Sequence, residues 1–162
     1  MSEFTALRRS HHYTQTNDAP PERVFPLLCP VREAEWVPGW KYRLIYSQSG
    51  VAEDGCVFAT PNGNGPETVW VVTHYDPAAF RLAFAWMQPG LVATQLRISL
   101  APAPGGKTSS EIRYTYTGLS PEGNAQVERF TAEWFAKKMK GWEAAINHFL
   151  RTGKRIDAAA WE

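Results

Sequence analysis

The chain lacks any run of about 18 apolar residues, the least that would cross a bilayer as a helix, so no membrane span is expected. Its first residues, MSEFTALRRSHHYTQTND, have no apolar centre of the kind a secretory signal carries. There are only two cysteines, Cys29 and Cys56, and no CxxC spacing. Two free thiols in a cytoplasmic protein are therefore expected rather than a disulfide framework. Charge of one sign is missing too: 17 basic residues face 16 acidic ones, with no basic stripe, so no nucleic-acid partner is expected. Repeats, low-complexity tracts and polar linkers are absent, and residues 1–162 read as one domain.

Catalytic and cofactor signatures are equally sparse. GGKT at 105–108 resembles the end of a phosphate-binding loop. The pattern needs a glycine five residues before Gly106, where Ala101 stands, and both flanks read as strands. YSQSG at 46–50 fails the nucleophile-elbow pattern at its first position. His11 and His12 are neighbours on a predicted strand, so their side chains leave opposite faces and cannot chelate one ion. No cofactor and no metal are expected.

Aromatic residues are abundant: 21 in all, seven of them tryptophan. So much flat apolar surface suggests a lined pocket beside an ordinary core. A polar strand is predicted from Arg9 to Thr16, then a helix with Asp18 as cap, proline in its first turn, and Val24, Phe25 and Leu28 at helical spacing. From residue 40 the hydrophobic period becomes two. Trp40, Tyr42, Leu44 and Tyr46 alternate, then Cys56, Phe58 and Thr60; Trp70, Val72 and His74; Phe80, Leu82, Phe84 and Trp86; Val92, Leu96, Ile98 and Leu100; and Ile112, Tyr114 and Tyr116. Turn-rich stretches such as PNGNGP and PAPGGK separate these runs, predicting a six-strand antiparallel meander with one apolar face. The same parity puts Arg97 and Arg113 on the solvent face. A long helix from about Glu122 to Thr152 closes the chain, opened by Ser120-Pro121 and ended at Gly153. Its apolar stripe drifts from Val127, Phe130 and Trp134 to Phe135, Met139, Trp142 and Ile146. A bend near Gly141 is one way to reconcile the two surfaces.

This order of elements, with APPERVFPLL (19–28) as opening helix and GWEAAINHFLRTGK (141–154) as closing helix, resembles the START-like helix-grip superfamily, also called SRPBCC. That group includes polyketide cyclases, lipid-transfer domains, pollen-allergen-like carriers and chaperone activators. The resemblance implies an α+β helix-grip fold: a curved antiparallel sheet of about seven strands around a long C-terminal helix, with two short helices between strands 1 and 2. It also implies a hydrophobic cavity between sheet and helix, but no single reaction.

In that frame the candidates for lining the cavity are Trp36, Trp40, Tyr42, Phe58, Trp70, Val72, His74, Phe84, Trp86, Leu96, Tyr114, Tyr116, Phe130 and Trp134. The first functional expectation is binding, or transport, of a small hydrophobic or aromatic molecule, lipid or polyketide-like. The alternatives are a cyclase, aromatase or dehydratase with His74 as acid or base, and an interaction or regulatory module on the same fold. Within CPVREAEWVPGW (29–40), Glu33 and Glu35 are expected to face water from a short helix over Val31 to Trp36, while Trp36 and Trp40 turn inward like a gate. Lys137, Lys138 and Lys140 read as a solvated helix face. Alternation does not say which outer face is dry, so oligomeric state is not legible.

Overall fold

The computed structural model describes residues 3–161. Strand β1 (Arg8–Asn17) is followed by helix α1 (Pro21–Val24), a single 3₁₀ turn (Phe25–Leu27) and helix α2 (Pro30–Glu33). Six strands come next: β2 (Arg43–Tyr46), β3 (Val57–Asn62), β4 (Gly65–Asp76), β5 (Arg81–Gln88), β6 (Val92–Ala103) and β7 (Lys107–Gly118). Helices α3 (Pro121–Arg129) and α4 (Ala132–Thr152) complete the chain before a short turn at Ala158–Ala160. The seven strands form one sheet in the order β1-β7-β6-β5-β4-β3-β2, every pair antiparallel. This is the helix-grip arrangement, with α4 lying across the inner face.

Registers define the inner face. One row runs Leu44–Phe58–Trp70–Trp86–Thr94–Tyr116 across β2 to β7. The next runs Val72–Phe84–Leu96–Tyr114–His11, and a third Tyr75–Leu82–Ile98–Ile112–Tyr13. Residues Leu82, Ile98 and Ile112 are buried against Met139 and Ile146 of α4. Burial of each such side chain stabilises the fold by roughly 1.5–3 kcal/mol, so this end of the grip is dry core. Cys29 and Cys56 are buried and unbonded.

Four local expectations need correction. Asp18 does not cap the first helix: Pro20 holds the cap position without a side-chain bond, because Pro21 has no N–H to satisfy. Asp18 instead receives Lys107 (3.5 Å) and Arg151 (2.5 Å). The second helix is shorter than Val31 to Trp36, ending at Glu33. The first meander strand begins at Arg43 rather than Trp40. The closing helix is two helices, and the break is at Phe130-Thr131, not at Gly141. Phe130 leaves the helical region (φ −79°, ψ 67°), and Thr131 Oγ1 caps α4 by accepting the Trp134 N–H at 3.1 Å. The Phe130 carbonyl freed by the break accepts from His11 Nε2 at 2.6 Å, which places the proton on that nitrogen. Ser120 opens α3, accepting the Gly123 N–H at 3.0 Å, and Gly153 ends α4 with φ 69°, a conformation that favours glycine.

Polar groups of α4 also reach the outer edge of β1. Glu143 accepts the Thr16 N–H (2.8 Å) and the Tyr13 hydroxyl (3.1 Å), while Asn147 donates to the Thr16 carbonyl (2.9 Å) and accepts the Asp18 N–H (3.0 Å).

Candidate functional site

The other end of the grip is open. There the inner-face residues Tyr42, Leu44, Trp70 and Trp86 are only half-buried, as are Trp40 from the loop before β2 and Phe130 from the helix break. Trp134, in the first turn of α4, keeps 39% of its surface exposed. These rings keep solvent-accessible surface, whereas Leu82, Ile98 and Ile112 at the other end of the same face are buried. The rings form a continuous wall. Trp70 and Trp86 stack at 3.9 Å between centroids, Phe58 stacks on Trp70 at 5.3 Å, and Trp40 meets Trp70 edge-on at 6.3 Å. On the other flank Trp86 meets Tyr114 at 5.8 Å, Tyr114 stacks on Tyr116 at 5.7 Å, and Phe130 stacks on Trp134 at 4.6 Å. Trp70 is held by its indole N–H, which donates to Thr60 Oγ1 at 2.9 Å.

Of the fourteen residues expected to line a cavity, Trp40, Tyr42, Trp70, Trp86, Phe130 and Trp134 keep exposed surface at this end, and Tyr114 and Tyr116 are buried in contact with these rings. Phe58, Val72, Phe84 and Leu96 lie buried behind the rings. Trp36 is not part of a gate. It is fully buried, its indole N–H donates to the Leu27 carbonyl at 3.0 Å, and it packs edge-on against Trp142 at 4.9 Å. Trp40 sits at the rim, pinned by a 2.8 Å bond to the Pro30 carbonyl.

His74 faces away. A bulge between Val72 and His74 inserts one residue into β4, so that His74 rather than Thr73 stands opposite Ala83. One extra residue inverts side-chain parity. His74 therefore emerges, exposed, on the outer face, and Tyr75 turns inward to meet Phe25 at 5.4 Å. An acid or base role for His74 inside the grip is excluded by that geometry.

Of the charged residues expected to face water, Lys138 does so while reaching over the inner-face rings, and Glu33 is half-buried. Lys138, one turn beyond Trp134 on α4, extends over the inner face with Nζ 4.7 Å from the Tyr114 ring centre and 5.3 Å from that of Trp134. The side chain stays exposed, yet partial desolvation over these rings pulls its ammonium down to about 8. Glu33, at the end of α2, is half-buried; its neighbour Arg32 pairs with Glu35 at the surface and leaves Glu33 without an ion pair. The same loss of hydration pushes the Glu33 carboxyl up to about 8. Burial, and then the Glu33 charge, raise the Tyr114 phenol; burial and Tyr114 raise that of Tyr116, whose hydroxyl has no hydrogen-bond partner. Glu33 and Lys138 thus both act on Tyr114, and among the described residues neither has an opposite charge. Solvent still reaches both groups, so water screens part of the effect.

The pH consequence has a definite sign. Glu33 is raised from its ordinary 4.5, so the folded state holds a proton the unfolded chain has lost, and stability falls as pH rises from 4.5 to about 8. Lys138 is lowered from 10.5, so the unfolded chain binds the extra proton, and its contribution recovers as pH rises from about 8 to 10.5. In thermal unfolding between pH 5 and 9, Glu33→Gln should gain on the parent as pH increases. Parallel curves would mean Glu33 titrates as an ordinary surface carboxylate.

No protein-family model and no curated protein sequence matches the chain. Solved structures do. Norcoclaurine synthase from Thalictrum flavum superposes with a TM-score of 0.67 at 14% identity, covering 91% of this chain and 88% of that one. Zhui aromatase/cyclase from Streptomyces sp. R1128 gives 0.65 at 13% identity, covering 93% and 100%. DynU16, a protein of the dynemicin biosynthetic locus, gives 0.59 at 20% identity; the match covers 90% of this chain but 48% of DynU16, about half its length. These likenesses establish the helix-grip fold. Among the described residues no helix is long and apolar enough to cross a membrane.

Proposed function

We infer that the open end of the grip binds a flat, largely apolar small molecule with one polar end. The observation that carries this reading is the set of half-exposed rings on the inner face, stacked yet still accessible. An aromatic ligand would extend the Trp70–Trp86 stack, and its polar end would meet Tyr114, Glu33 and Lys138. Below pH 8 the Glu33 carboxyl is mainly protonated, so it can donate a hydrogen bond as well as accept one. Two neighbours lend support by what they hold or make: norcoclaurine synthase was solved with dopamine and hydroxybenzaldehyde, and Zhui is an aromatase/cyclase.

Native mass spectrometry of the purified protein should detect a co-purifying hydrophobe that organic extraction releases. A fluorescent aromatic probe such as anilinonaphthalene sulfonate should bind saturably, and Trp86→Ala should weaken it about tenfold, the scale of one lost stacking contact. Unchanged probe affinity in that variant would sink the reading.

A second reading, catalysis of the cyclase or dehydratase kind, rests on one observation. The Lys138 amine lies 4.7 Å from the Tyr114 ring centre, and the half-buried Glu33 carboxylate is near enough for its charge to raise the Tyr114 phenol. Groups tuned near ambient pH suit proton transfer. In this reading Glu33 donates a proton to the bound molecule and Lys138 removes one. If the molecule recovered from the open end returns chemically unchanged after prolonged incubation with the protein, the reading fails.

A further inference from the structure

We propose that the outer face of the sheet, opposite the aromatic rings, carries a second binding site, for a multiply charged phosphate-bearing anion. The site is a groove of about 700 Å³ bordered by His12, His74, Arg81, Arg97 and Arg113, with Glu111 as its one carboxylate. A smaller depression of about 190 Å³, lined by Arg8 and sharing Arg97 and Arg113, continues it.

The registers explain how the groove is built. A single row crosses five strands as His12–Arg113–Arg97–Ala83–His74. Arg113 and Arg97 stand directly opposite each other on β7 and β6. Like charges in that position repel and weaken a sheet. Ala83 beside them, with Ser99 two residues along β6 on the same face, keeps the floor low, so the long side chains rise as walls. The β4 bulge supplies the far wall by turning His74 outward beside exposed Thr73. Bulges that re-aim a side chain concentrate next to functional sites.

The arginines of the groove are only partly offset. Among the described residues Arg81, Arg97, Arg113 and Arg8 enter no ion pair, and Arg8 bonds only the Thr117 hydroxyl (2.9 Å). Asp76 stands opposite Arg81 in the register, makes no ion pair with it and accepts the Ala79 N–H, so its charge offsets Arg81 only at a distance. Glu111 offsets one arginine and leaves the groove positive. The residue types narrow the ligand. Every fixed cation here is arginine, whose planar fork matches phosphate oxygens two at a time. A phosphate ester or pyrophosphate offers enough oxygens to engage Arg97 and Arg113 together and so relieve their repulsion. The groove contains no Phe, Tyr or Trp ring, and its long side chains are mostly arginine, which suits a charged ligand rather than the flat apolar molecule of the open end.

Titration calorimetry of the whole protein with inorganic pyrophosphate at low salt tests this. Saturable binding is expected, weakened at least about tenfold in Arg97→Gln and in Arg113→Gln, fading as salt rises, and unchanged in Arg129→Gln on α3. Without anion, both groove variants should melt at or above the parent temperature, since each removes a repulsion. Non-saturable binding, equal loss in Arg129→Gln, or association only with phosphatidic-acid vesicles and none with pyrophosphate would overturn the proposal. Lower melting of both groove variants would also overturn it, by showing that the arginines serve folding.

Discussion

Gly123→Ala is expected to destabilise the protein by about 3 kcal/mol or more, the upper range for overpacking, and to lower the thermal midpoint by roughly 10 °C. Gly123 lies in the first turn of α3, where the helix passes directly over the β5–β6 turn. A Cβ placed there would stand 1.8 Å from the Leu91 carbonyl oxygen and 2.7 Å from its carbon. That carbonyl cannot swing aside cheaply, because it accepts the Leu119 N–H at 2.7 Å at the end of β7. Relief would require α3 to lift away, which breaks the Ser120 cap and moves the Phe130 break at the rim of the open end. Circular dichroism melting would check it, and a midpoint within a degree or two of the parent would show that the helix can shift freely. The glycine is required by proximity, since its φ is not in the left-handed region.

Trp36→Ala is the other change with a large expected effect: about 3–5 kcal/mol, the range for removing a large aromatic from a core. The indole is wholly enclosed, packs on Trp142, and donates to Leu27, so truncation leaves a cavity and an unpaired buried carbonyl. Trp40→Ala should cost much less, because Trp40 is half exposed. Chemical denaturation curves of the two variants separate a core role from a gating role. If Trp36→Ala left stability intact and altered only probe binding, Trp36 would be a gate after all.

The sheet was legible because one dry face forces alternation: the runs around Phe84, Leu96 and Tyr114 all point inward, as their period of two requires. Parity arguments hold only while pairing is regular. His74 followed the same rule in sequence and failed it in the fold, because an inserted residue in β4 leaves no compositional trace. The helix break was hidden for a different reason. Phe130 continues the apolar stripe, and Thr131 becomes a cap only when His11, more than a hundred residues earlier, takes up the Phe130 carbonyl. Glu33 and Lys138 had no local signal either. A charged residue beside others of its kind reads as solvated, and only the tertiary fold half-buries Glu33 and sets the still-exposed Lys138 over the Tyr114 ring. The abundance of rings, by contrast, was visible in composition, and strand parity placed Tyr42, Trp70 and Trp86 on the inner face, where they stay half-buried.

The bonds from Glu143 and Asn147 to Thr16 have a consequence for solubility. An open sheet ends in two strands whose outward backbone groups can recruit a strand from another molecule. On β2 the risk is small, since that strand is four residues long and interrupted by an irregularity after Leu44. β1 has ten residues and would be a far better template. By occupying the Thr16 N–H and carbonyl, α4 acts as a side-chain substitute for an eighth strand. The helix that grips the sheet's face thereby also shields its longer edge from self-association.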